Sequence, residues 1–362
     1  MSDTPEITRE IRINPIVPTE SVLVATARGM RPKTAEERVE RDTRAVVETC
    51  PFCRGNEDRT PPSIRSYPEN ADWDIRIVPN LYPVLGDDRS QTNIAFGLQQ
   101  VIDGYGRHEV VIDNPNHGIA LHEMDERHLA NLFLVYQQRM AELYESDPRL
   151  KYVLIFKNFG AAAGASIPHT HSQIIATPVV PENVQNEVHH SREYQRKYGQ
   201  CVFCSLIDEA LTYEATIYDR ESGQIRRKVN VGQYVVERGE RFIAIKPFAS
   251  RFEWEIHILP LRHEADFLKA SSEDLEDFAQ VLRRTMARLD KVVGGVQYNF
   301  FLHSAPHGSE FADCQPSYHW HLEICPRTSI PTGFELGSGL FVSTVSPEQA
   351  AEALRNAQID DD

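Results

Sequence analysis

The segment KNFGAAAGASIPHTHSQII, residues 157–175, places a run of small residues just ahead of two histidines, His169 and His171. Small residues at 160–166 let backbone N–H groups come close to phosphate oxygens, an approach that bulky side chains would obstruct. Gly164 and Ser166 are the candidate phosphate contacts. On a regular strand His169 and His171 would share a face. An imidazole is neutral near physiological pH and can attack phosphorus to give a reactive phosphoramidate, so His171 is the candidate nucleophile. Its Nδ1–H then needs an acceptor, so that Nε2 is aimed at the phosphorus. Gln173, at an even offset from His171, can donate from its amide to a phosphoryl oxygen without adding charge. The structural alternative is a packed strand histidine beside an unrelated glycine loop.

His321 in YHWHLEICP repeats the spacing, with His319 two residues before it. Its upstream segment PHGSEFADCQPSY has no comparable small-residue loop, and Glu323 stands where the first element has Gln173. A carboxylate beside an anionic phosphate disfavours the substrate unless it is neutralised. His171 is therefore preferred, and His321 is read as structural or pocket-lining.

Two C-x-x-C pairs accompany the two histidine elements. Cys50 and Cys53, with His117 and His169, make a Cys2His2 set suited to tetrahedral Zn²⁺; Cys201, Cys204, His263 and His319 make a second. Four protein ligands leave no open position, so two structural zinc sites per chain are expected. The alternatives are a redox-active or simply buried cysteine pair, and histidines satisfied within a core. Cys314 and Cys325 have no counterparts in the first half and are read as core residues.

The elements that must position these groups also come in pairs. HEVVIDNPNH ends at His117 and WEIHILPLRH at His263, both strand-like. The apolar spacing of residues 122–144 and 271–293 predicts a long helix in each half, followed by strands in KYVLIFKNFG and VQYNFFLHSAP. The chain reads as one unit duplicated and diverged, residues 1–180 and 181–362. The fold class is α+β: each module is an antiparallel sheet with a long helix against it. Residues 181–200 read as a polar linker able to include a helix, and the first 49 residues as an arm or edge strand. SPEQAAEALRNAQ reads as a helix capped by Ser346.

The 362 residues and 41% apolar content suffice for two cores. A formal charge of −15 argues against tracking nucleic acid, although local donors can still dominate in a pocket for a phosphorylated small molecule. The N-terminal residues resemble no signal peptide and no stretch is apolar enough to span a bilayer. A cytoplasmic, non-membrane protein is expected.

CPFCRGNE, NLYPVL, HEVVIDNPNH, FKNFGAAAGASIPHTHSQ, ILPLRH and YNFFLHSAP together resemble the galactose-1-phosphate uridylyltransferase family of the histidine-triad superfamily, over nearly the whole chain. The resemblance implies two half-barrel modules, pairing again as a homodimer. It also implies a ping-pong reaction in which His171 takes a nucleotidyl group from a nucleotide sugar and releases a sugar 1-phosphate. It further implies Gln173 as phosphoryl-binding neighbour, Asn158, Gly164 and Ser166 as phosphate-loop residues, Asn80 as a nucleotide contact and Arg31 as an arm residue binding phosphate. Residues 333–339, GFELGSG, and the Cys201, Cys204, His263, His319 set resemble the plant-type ADP-glucose phosphorylase branch. Uridylyl transfer to a hexose 1-phosphate is the favoured expectation, and adenylyl transfer to inorganic phosphate is the alternative. A zinc-stabilised nucleotide-binding module without catalysis would keep both metal sets but would not need His171.

Overall fold

The computed structural model describes residues 8–30, 41–69, 72–88 and 92–359. In chain order its strands are β1 (Arg9–Ile13), β2 (Ser21–Ala25), β3 (Arg65–Tyr67), β4 (Ile75–Pro79), β5 (Asn93–Phe96), β6 (Gln99–Ile102), β7 (Arg107–Ile112), β8 (Tyr152–Phe159) and β9 (His171–Thr177). They continue as β10 (Glu214–Tyr218), β11 (Ile225–Asn230), β12 (Val235–Arg238), β13 (Phe242–Ile245), β14 (Ile256–Pro260), β15 (Tyr298–His303), β16 (His321–Pro326) and β17 (Phe341–Ser343). The α-helices are α1 (Glu126–Ser146), α2 (Glu182–Tyr198), α3 (Val202–Thr212), α4 (Ser272–Val293), α5 (Gly333–Ser338) and α6 (Pro347–Asn356). This is the expected α+β class.

Ten strands form one antiparallel sheet in the order β12-β13-β14-β16-β15-β8-β9-β7-β4-β3. Five come from each half, in mirrored order, and the halves join where β8 pairs with β15. Gln173 lies opposite Phe156 and Val110, and Glu323 opposite Phe301 and His257, so the two H-x-H strands occupy equivalent places.

Helices α1 and α4 cover one face. α1 is capped by Asp125, which accepts from His128 N–H; Ser271 and Asp274 close a reciprocal cap on α4. Phe133 of α1 meets Phe278 of α4 edge-on at 4.6 Å, and both pack with Ile174, Ala176, Leu322 and Ile324 of the sheet. Alternation along β9 sends Ser172, Ile174 and Ala176 into this core and leaves His171 and Gln173 on the opposite face.

Two details differ from expectation. β7 stops at Ile112 and β9 starts at His171, so His117 and His169 come from the turns flanking those strands and not from the strands. Pro115 and Pro168 lie in these turns; a proline removes a ladder donor. The helix allowed for in the polar linker is present as α2, residues 182–198, ended by Gly199 in the left-handed region. The N-terminal arm is no edge strand of the large sheet: β1 and β2 join β17 in a separate three-stranded sheet. The C-terminal helix begins as expected, with Ser346 accepting from Gln349 N–H. Among the described residues no helix is long and apolar enough to cross a membrane.

Candidate active site and metal centres

The loop between β8 and β9 carries the small residues. Ala161–Ala163 form a 3-10 turn flanked by Gly160 at φ 86° and Gly164 at φ 84°, conformations that favour glycine. A side chain at Gly160 would also run into Gln297, whose Oε1 accepts from Ala162 N–H. Asn299 on β15 donates to Asn158 Oδ1 at 2.8 Å and to Ala163 O at 2.9 Å. The second half therefore holds the loop of the first. Gly164 and Ser166 are exposed at its outer side, and Asn158 is half-buried.

His171 is 7% exposed. Its Nδ1 lies 2.8 Å from the carbonyl of His169, which is the acceptor that nitrogen requires, so the Nε2 lone pair is the free one. Among the described residues Nε2 makes no hydrogen bond. Burial, the largest influence, holds the imidazole below its ordinary pKa and keeps it neutral. Gln173 Oε1 is 2.8 Å from His108 Nε2, and Asn80 Nδ2 approaches the same nitrogen at 3.1 Å. Asn80, Gln173 and His171 are thus gathered on one face as expected, with His108 added. Arg31 lies outside the described residues.

Behind His171, on the helix side of the sheet, Lys157 is wholly buried. Its ammonium donates to Asp113 Oδ2 at 2.6 Å, Thr170 Oγ1 at 2.8 Å and His171 O at 3.0 Å. Asp113 also accepts from Ser172 and from Tyr136 of α1. The equivalent places in the second half are Leu302, Pro260, Trp320 and Leu322, all apolar and buried.

Both predicted metal sets assemble: Cys50, Cys53, His117 and His169 bring one donor atom each within 4.8 Å of one another, as do Cys201, Cys204, His263 and His319. Sulfur to Nδ1 separations are 3.5 Å for Cys53 with both His117 and His169, 3.3 Å for Cys204–His263 and 3.7 Å for Cys204–His319. The edge of a tetrahedron with ordinary zinc bond lengths is about 3.3–3.8 Å. His169 Nε2 donates to Asn114 O, His263 Nε2 to Gln315 O and His319 Nε2 to Pro260 O, which turns each Nδ1 lone pair toward the sulfurs. With no cation, the Cys204 thiol is pushed up to about 12, first by Cys201 and then by burial; two adjacent thiolates need a positive partner. The donor sets fit zinc.

His321 is placed like His171, with Nδ1 on the His319 carbonyl at 3.0 Å, but its Nε2 faces Glu323 at 3.5 Å and Glu187 of α2 at 3.9 Å. Glu323 is in turn bound by Arg251, which also pairs with Glu255 at 3.0 Å. Carboxylates occupy the space that an anionic substrate would need. Glu187, His303, His321 and Glu323 also lie close enough to share a cation. The sequence reading missed Glu187 and His303, because Glu187 stands in a polar stretch taken for a linker and His303 is a single histidine on a strand, and they meet through the fold. His108, Lys157 and Asn299 stand inside the segments HEVVIDNPNH, KNFGAAAGASIPHTHSQII and YNFFLHSAP, but their roles depend on partners in other elements, which no local spacing marks.

Residues 2–181 match the N-terminal domain of galactose-1-phosphate uridyl transferase. The ADP-glucose phosphorylase of Arabidopsis thaliana is 28% identical over 354 residues, covering 97% of this chain and 93% of that protein. The galactose-1-phosphate uridylyltransferase of Thermotoga maritima is 28% identical over 359 residues, covering 97% and 99%. A crystal structure of the Arabidopsis thaliana ADP-glucose phosphorylase with bound ADP-glucose superposes with a TM-score of 0.79 at 27% identity, covering 97% of this chain and 100% of that one. A solved uridylyltransferase structure superposes at 0.70 with 26% identity, covering 96% and 98%.

Proposed function

Through residues 2–181 the chain belongs to the galactose-1-phosphate uridyl transferase family and is a nucleotidyltransferase; from that premise we propose that it works through a covalent nucleotidyl-His171. The observation that carries the proposal is the His171 ring, tied at Nδ1 to its own strand and left with a free Nε2 beside a glycine loop. In the first half-reaction Nε2 uses its lone pair to form a bond to the α-phosphorus of a nucleotide sugar. The phosphorus–oxygen bond to the β-phosphate breaks and sugar 1-phosphate leaves. The Nδ1 proton stays on the ring, where the His169 carbonyl favours the positive charge that develops. In the second half-reaction an oxygen of the acceptor phosphate forms the new bond to phosphorus, and the nitrogen–phosphorus bond breaks to restore His171.

Gln173 donates to a phosphoryl oxygen. The Ser166 hydroxyl takes a remaining oxygen, with Asn158 and Asn80 at the edges, while the N–H groups of Ala163, Gly164 and Ala165 donate within the loop to Gly160 O and Ala161 O and Gly164 serves its turn. Zinc, when bound at the first set, ties His169 to the Cys50–Cys53 turn and so fixes the strand start from which His171 projects. The second set, Cys201, Cys204, His263 and His319, would hold a second zinc in the same structural role.

The sequence alone favours uridylyl transfer to a hexose 1-phosphate. The fuller superposition on the protein solved with ADP-glucose, 0.79 against 0.70, favours an adenylyl donor with inorganic phosphate as acceptor. A homodimer fits the surface: the β5–β6 hairpin exposes Ile94, Phe96, Leu98 and Val101 together.

The test is mass spectrometry of the intact protein and its peptides after separate exposure to ADP-glucose and UDP-glucose. An AMP adduct on His171 discharged by phosphate supports the adenylyl reading. A UMP adduct discharged by galactose 1-phosphate supports the uridylyl reading. No adduct with either donor refutes the covalent proposal.

A further inference from the structure

The geometry points to His108 as the positioning residue that decides which end of the Gln173 amide meets the phosphoryl group, an inference resting on the phosphoryl role proposed for Gln173. His108 is buried on β7, on the same face as Gln173. The Val84 N–H donates to its Nδ1 at 3.2 Å, so that nitrogen carries the lone pair and the ring proton sits on Nε2. From Nε2 the proton goes to Gln173 Oε1 at 2.8 Å. Asn80 cannot supply a competing acceptor. Its Oδ1 is taken by the Tyr82 N–H at 2.9 Å, which turns Nδ2 toward the imidazole at 3.1 Å.

The imidazole N–H therefore meets the inward end of the Gln173 amide, and the oxygen is the end it accommodates there. Rotating the amide by half a turn would set its NH2 against the imidazole N–H. The NH2 is thus held outward, where an anion can receive it. Without His108 the two amide orientations differ little in energy, and the orientation presenting oxygen would repel a phosphoryl group.

The second half supports the assignment. The registers place Glu255 where the first half has His108, and Glu323 where it has Gln173. That pair is bridged by Arg251, which offsets one of its two charges internally. In the first half the pair is neutral, linked by a single proton, and one amide donor remains over for a ligand.

The experiment is a double-mutant cycle on the single-turnover rate of His171 nucleotidylation, using the donor that forms the adduct. His108→Asn keeps an acceptor for the Val84 N–H near the Nδ1 position and loses the donor to Gln173. His108→Gln restores an N–H near the Nε2 position. His108→Asn is expected to slow nucleotidylation about tenfold with the donor KM changed less than about twofold, and His108→Gln to stay within about threefold of the parent. In a Gln173→Ala background His108→Asn should slow the reaction no further.

Parent rate in His108→Asn, or an undiminished tenfold loss on top of Gln173→Ala, would overturn the inference. Parent rate in Gln173→Ala would instead remove the phosphoryl role of Gln173, and the inference with it. The Gln173→Ala single variant therefore separates failure of the premise from failure of the inference.

Discussion

Replacing Lys157 by Met should destabilise the protein strongly, and removing Asp113 as well should restore most of the loss. The Lys157 ammonium and Asp113 carboxylate are both wholly inaccessible and 2.6 Å apart. Burial pulls Lys157 below its ordinary pKa, with Asp113 pulling it back up. Removing the lysine leaves a buried carboxylate with only the Ser172 and Tyr136 hydroxyls as donors. Breaking one side of a buried pair costs about 3–5 kcal/mol, and the two remaining hydroxyls put this case near the lower figure. In Lys157→Met/Asp113→Leu the charge is gone from both sides. The second half of the same chain already folds with Leu302 and Pro260 at these places, so the double variant should lie within about 2 kcal/mol of the parent. The assay is equilibrium urea unfolding at pH 7 with zinc supplied to saturation. A single variant as stable as the parent, or a double variant no better than the single, would refute the reasoning. Because Lys157 also donates to the His171 carbonyl, the double variant should remain slow in nucleotidylation even where its stability is restored.

Other outcomes follow from the same geometry. His171→Gly should abolish adduct formation while zinc content stays constant and stability falls by less than about 2 kcal/mol, since β9 keeps its ladders to both β7 and β8; adduct formation at the parent rate would remove His171 as nucleophile. Cys53→Ala should lower bound zinc by one equivalent per chain and depress the melting temperature, because metal binding contributes to folding; unchanged stoichiometry by elemental analysis would exclude the site. Lys246 is buried, donates among the described residues to Ser250 Oγ and Phe252 O, and is pushed down to about 7, first by burial. Between pH 7 and 10 the unfolded chain therefore binds more protons at this residue than the folded one, so its cost to stability is full below pH 7 and fades as pH rises. Lys246→Met should stabilise by roughly 1–3 kcal/mol at pH 6.5 and by less at pH 9.5; a gain independent of pH in urea unfolding would contradict the assignment.

The duplicated arrangement gives two similarly placed histidines in one sheet, of which His171 is the one proposed to react. Both H-x-H strands are held in the same way, by a Cys2His2 set at their start and a helix on the core face. The halves differ in what surrounds the second histidine of the pair. His171 looks out between a glycine loop and a neutral amide, whereas His321 looks at Glu187 and Glu323 under α2. The expectation that Glu323 would disfavour an anion is strengthened by Glu187, which the fold adds from another element.

Residue type and local spacing determined much about this protein without any coordinates. The eight candidate metal ligands stand out because thiolates and imidazoles in C-x-x-C and H-x-H spacing have few other joint uses. The long helices follow from apolar periodicity, the loop from its glycines, and the choice of His171 over His321 from the residue two positions on. What only the tertiary structure decided is everything that depends on contacts between distant elements. His108 meets Gln173 across 65 residues, Lys157 meets Asp113 across 44 and Asn299 holds Ala163 across 136. None of these carries a local pattern, because a hydrogen bond across a sheet is fixed by register, and register is set by the hydrophobic faces of all the strands together. The chain advertises the candidate nucleophile and metal donors; the groups that orient them become visible only when the two halves close into one sheet.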